Sequence, residues 1–64
     1  MNMYFFNKRE QNGWEHEYCD FECDADAMMY GRHLLCDTCS MVAVYRHEDN
    51  DTFGIKKFVA AYDR

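Results

Sequence analysis

Residues 19–39 read CDFECDADAMMYGRHLLCDTC, and the fold expected for the whole chain turns on them. All four cysteines lie here as two close pairs, Cys19 with Cys23 and Cys36 with Cys39. The spacing is C-x3-C, twelve intervening residues, then C-x2-C. Thiolates separated by about two to four residues converge from one turn, and two such turns complete a tetrahedral zinc site. A tight hairpin over residues 25–35, turning at Tyr30-Gly31-Arg32, would bring the second pair back to the first. The spacing therefore predicts one structural Zn2+ per chain, held by Cys19, Cys23, Cys36 and Cys39. His16 and His33 each precede a cysteine by three residues, so either could replace a thiolate. Competing readings are four buried apolar thiols, two disulfides, a Cys36–Cys39 redox pair, or an iron site with the same ligands.

Sixty-four residues make a single domain, 1–64. A chain of that size buries only about 60% of its unfolded surface, and small scaffolds of this kind are commonly stapled. Binding free energy on the order of 10 kcal/mol from structural zinc would supply the staple. Hydrophobic residues are 48% of the chain and aromatics 17%, too many for a disordered tail. No apolar run reaches the ~18 residues of a membrane span. The start, MNMYFFNKRE, lacks the basic end and long apolar core of a secretory signal. A reducing, cytoplasmic setting is expected, where clustered cysteines favour metal over disulfides.

Outward from the cysteines, Asn12-Gly13 is a strong hairpin signal. Residues 14–18, WEHEY, alternate with Trp14, His16 and Tyr18 on one face. These features predict a hairpin of residues 3–10 with 14–18. The alternative is one acidic helix over 13–30, with Asn12 and Glu15 as a capping box. Residues 40–46 read as an apolar strand and 47–52 as a polar turn. Residues 53–62 read as a last strand pairing back on 40–46, with a helix over 56–63 as its alternative.

The run Cys19-Asp20 to Cys23, then Tyr30-Gly31 and His33-Leu34-Leu35-Cys36-Asp37-Thr38-Cys39-Ser40, resembles the core of a zinc ribbon. That resemblance covers about residues 19–45. It implies a small zinc-stabilised β-rich domain of antiparallel hairpins around the four-cysteine site, with a short helix near 19–30 or at the C-terminus as a variation. Three residues instead of two between Cys19 and Cys23 depart from the pattern, and so does the lack of a glycine after either pair. A ribbon is specific for zinc and not for function.

Net charge is −5, concentrated in an acidic run of Glu15, Glu17, Asp20, Glu22, Asp24 and Asp26. Such a run is a solvated face or a docking surface for a basic partner. Tyr4 and Phe6 join it as candidate partner contacts, because aromatics on both faces of the first strand suggest pairing with another chain. The expected function is that of a zinc-binding interaction or regulatory module for a larger protein with a basic surface, of the nucleic-acid machinery for example. The runner-up is a nucleic-acid-binding zinc ribbon using Arg32, Arg46, Lys56 and Lys57 with exposed aromatics, although acidity disfavours a phosphate backbone. A Gly-rich phosphate loop is absent and Ser40 is the sole serine, so no catalytic constellation stands out and no enzymatic activity is expected.

Overall fold

The computed structural model describes residues 1–48 and 56–64. They form four antiparallel strands and one helix in the order β1 (Asn2–Glu10), β2 (Gly13–Phe21), α1 (Asp24–His33), β3 (Cys39–His47) and β4 (Lys56–Asp63). The strands make one sheet ordered β2-β1-β3-β4, and α1 lies against one of its faces. The tip of the polar turn and the first residues read into the last strand, 49–55, lie outside the described residues.

β1 and β2 form the expected hairpin, in register from Asn2 opposite Phe21 to Glu10 opposite Gly13. The turn itself differs from a type I′ turn centred on Asn12-Gly13. Gln11 and Asn12 form the loop, and Gly13 alone takes positive φ, at 123°. That is the pattern of a turn followed by a glycine bulge, which spares a non-glycine residue the left-handed region.

The hairpin expected over 25–35 is instead α1. Ala25, Ala27, Met28 and Met29 are strong helix formers. Asp24 and Asp26 lie in the first turn and Arg32 and His33 in the last, each complementing the helix dipole. Cys23 is the N-cap in extended conformation, without a side-chain hydrogen bond to the helix. Ala27 and Gly31, one turn apart, are the buried residues of α1, so the helix meets the sheet through its smallest side chains.

Tyr4, Phe6, Ala27, Cys39, Val42 and Val44 form the buried core, with Phe21, Tyr30, Leu34, Val59 and Tyr62 packed around them. Phe6, Phe21 and Tyr30 touch as rings, with centroids 5.0–6.0 Å apart. Since side chains alternate along a strand, residues 4, 6 and 8 of β1 face the helix and residues 3, 5, 7 and 9 face away. β4 would break this alternation without the bulge opposite Val44–Tyr45. There Tyr45 pairs with Phe58 and Val44 with Ala60, so Val59 is the extra residue. The bulge lets Ala60 and Tyr62 face the helix while Phe58 faces away.

The zinc-ribbon reading is overturned here. No group of three or more histidine, cysteine or acidic side chains is placed to hold a metal among the described residues. The topology gives the reason. Cys19 lies opposite Tyr4 and Cys39 opposite Glu10, on the two flanks of β1. Six residues of strand separate them, roughly 20 Å at ~3.3 Å per residue. Ten residues of helix, rising about 15 Å, likewise hold Cys23 away from Cys36. Four thiolates on one zinc must lie about 4 Å apart. The domain is an antiparallel sheet with one helix, without evidence of zinc coordination.

Candidate functional site

The cysteines occupy four different environments. Cys19, half-buried on β2, points its thiol at Glu17 Oε2 at 3.6 Å. Cys23 is exposed at the start of the helix. Cys36 and Cys39 face each other across an isolated bridge, with reciprocal N–H to carbonyl bonds of 3.1 and 3.2 Å. Burial pushes the Cys39 thiol up, and burial beside the Glu17 carboxylate does the same to Cys19. Cys36 is exposed, and hydrogen bonding by the Thr38 hydroxyl, 3.3 Å away, lowers its pKa. His16 is on β2, and His33 ends α1 rather than leading a strand into the second cysteine pair.

The acidic run splits between two duties. Glu17 accepts from Tyr30 Oη at 2.9 Å and pairs with Lys8 at 3.2 Å. Burial works against its charge, yet the bonds from Tyr30 and Lys8 prevail and hold its pKa low. Asp24 accepts from Tyr4 Oη at 2.6 Å and from Arg46 at 3.0 Å, and the Tyr4 bond leads in lowering its pKa. These two acids fasten helix to sheet. Glu15, Asp20, Glu22 and Asp26 remain exposed. Tyr4 and Phe6, expected at a partner surface, are fully buried in the core. The four bases of the nucleic-acid reading do not share a face. Arg46 and its cross-strand partner Lys57 lie on the helix side, Arg32 is on α1, and Lys56 faces the opposite way.

The other face of the sheet has no covering layer among the described residues. Tyr18, Phe5, Tyr45 and Phe58 stand directly opposite one another on β2, β1, β3 and β4. Their ring centroids are 5.1, 5.9 and 5.8 Å apart in succession, so one aromatic row crosses all four strands. His16 extends it at 5.4 Å from Phe5. The Lys56 ammonium lies 4.9 Å from the Phe5 ring centre, and the Arg9 guanidinium 5.6 Å from that of Trp14. Five of the seven exposed large apolar side chains among the described residues are here: Met3, Trp14, Tyr18, Met41 and Phe58. Tyr18 and Trp14 are 50% exposed and Phe58 58%. At about 150–250 Å² per ring, these three alone leave roughly 300 Å² of aromatic surface to water.

The formal charges of this face cancel, since Arg9 and Lys56 stand with Asp20 and Asp63. The molecule's surplus of acid therefore lies elsewhere. Sequence reasoning found Trp14, His16 and Tyr18 on one face but missed Phe5, Tyr45 and Phe58 as their neighbours. Local periodicity carries no signal of these pairings. One ten-residue helix covers one side of a four-stranded sheet and leaves the other bare. Comparison of the chain with protein-family models, with curated proteins and with solved structures finds no match.

Proposed function

We propose that this chain is a metal-free docking domain, and that its working surface is the open face of the sheet. The observation that carries the reading is the unbroken row Tyr18–Phe5–Tyr45–Phe58. Contiguous apolar surface of several hundred Å² is the mark of a docking site on a small soluble domain. Tyr and Trp are favoured at interfaces because they bury a large ring at small entropic cost and keep a polar atom for the rim. The charges around the row are mixed in sign, which suits a protein surface better than a phosphate backbone. No reactive group is needed in this role. The row binds, and the core and the Glu17 and Asp24 fasteners hold the sheet that carries it.

A photoreactive benzoylphenylalanine at position 58, compared with one at position 32 on the helix, tests the reading in the native host. Adducts with protein should form from position 58 and be scarce from position 32. Equal yields from both positions would refute it.

A further inference from the structure

We infer that the open face is covered by a second copy of this chain, in a face-to-face dimer whose two-fold axis runs along the strands. This rests on the docking reading above and names its partner. The first support is the layout of charge. At one end of the face, Asp20 on β2 and Lys56 on β4 occupy opposite sides of the sheet. At the other end, Arg9 on β1 and Asp63 on β4 do the same with the signs exchanged.

A two-fold axis parallel to the strands swaps the sides and keeps the ends. It therefore sets Asp20 of each chain over the Lys56 side of the other, and Arg9 over the Asp63 side. Asp20 and Lys56 then meet directly in two places, and Arg9 comes one strand, about 4.8 Å, to the side of the partner's Asp63 in the other two, so the face is complementary to itself. That matters most for Lys56, whose ammonium already lies on the Phe5 ring and needs an anion once water is excluded.

The second support is where the aromatic row stands. Its members lie one to two residues from the strand midpoints, toward the Asp20–Lys56 end. An axis along the strands lays row on row with full overlap, Tyr18 against the partner's Phe58 and Phe5 against the partner's Tyr45. An axis across the strands could bring row to row only by sliding the sheets about 10 Å apart, at ~3.3 Å per residue.

The third support is area. Strands of eight to nine residues at ~3.3 Å per residue, four abreast at ~4.8 Å, give the open face a plan area of roughly 500 Å². Stable interfaces bury about 800 Å² per partner, so a contact must use the whole face to approach that size. Two such sheets would stack at ~10 Å with their strands within about 30° of alignment, as sandwiches do.

The test is sedimentation equilibrium of the purified full chain. The inference expects a species of twice the 7.7 kDa chain mass as concentration rises through the micromolar range. Tyr18→Ser with Phe58→Ser should be monomeric yet folded, since both side chains are half-exposed in the single chain. Asp20→Lys and Lys56→Asp should each weaken self-association at least tenfold, and mixing the two should restore a dimer containing one of each. A wild type that stays monomeric at several hundred micromolar overturns the inference, as does indifference to either charge reversal. The two readings fail separately. Adducts from position 58 with other proteins, beside a monomeric purified chain, sink the dimer and leave the docking face standing. Equal adduct yields from positions 58 and 32 sink the docking reading itself.

Discussion

At Gly31 a methyl group has nowhere to go. A Cβ built there meets Val44 Cγ2 at 2.7 Å, with Phe6 ring carbons 3.5 and 3.7 Å away. Val44 is β-branched and held in the sheet, so it cannot swing aside. Gly31→Ala gains roughly 0.5–1 kcal/mol of helix propensity, while overpacking a tight core costs about 1–3 kcal/mol. The clash should win, with a net loss of about 1–2 kcal/mol in denaturant unfolding. In a Val44→Ala background the same change should be neutral or stabilising, and an equal cost in both backgrounds would remove the close-approach explanation. Thiol reactivity is decided at the same scale. Cys36 is exposed with its pKa lowered by Thr38, whereas Cys39 and Cys19 are shielded with theirs raised. Iodoacetamide should modify Cys36 well before Cys39 and Cys19 in the folded protein, as read by peptide mass. Indistinguishable rates for Cys36 and Cys39 would contradict this packing.

Between elements, two carboxylates join the helix to the sheet. Asp24 starts α1 and takes bonds from β1 and β3, while Glu17 on β2 takes one from Tyr30 near the helix end. Both have pKa values below their ordinary ones. Their contribution to stability is therefore present above the unfolded values of about 4 and is lost as pH falls through the folded ones. The thermal midpoint should hold through neutral pH and drop below about pH 4. Asp24→Asn should lower it at neutral pH and flatten the acid limb, and a wild-type midpoint unchanged down to pH 3 would mean these contacts do not matter. The elements differed in how far the sequence revealed them. The first hairpin was legible because Trp14, His16 and Tyr18 alternate and a glycine follows the turn. β3 and β4 were legible as apolar runs. The helical segment reads as a hairpin over 25–35, with a short helix near 19–30 only as a variation, because Gly31 suggests a turn, when its role is to let α1 (Asp24–His33) approach Val44.

Across the whole molecule, the spacing of cysteines in the chain says little about their spacing in the fold. A twelve-residue spacer returns on itself as a hairpin but spans the sheet as a helix, and the propensities of Ala25 to Met29 chose the helix. The aromatic row was hidden for a related reason. Phe5 meets Tyr45 through a non-consecutive strand pairing, and Phe58 reaches the row only by the β4 bulge. Neither is visible in local periodicity. The described contacts that hold the domain are its core and its carboxylate fasteners, with no metal-binding group among the described residues. Extended treatment with a strong chelator should leave the melting temperature and the sheet signal in circular dichroism unchanged, and added zinc should not raise them. Cys36→Ser, a change at an exposed thiol, should cost less than about 1 kcal/mol. Cys39→Ser should cost about 1–3 kcal/mol, because a hydroxyl replaces a buried thiol. The difference between the two replacements discriminates between the architectures. In a zinc clamp both residues would be indispensable ligands and both substitutions would unfold the chain. In a sheet-and-helix core only the buried one of the two matters, through the cost of placing a hydroxyl where Cys39 is buried.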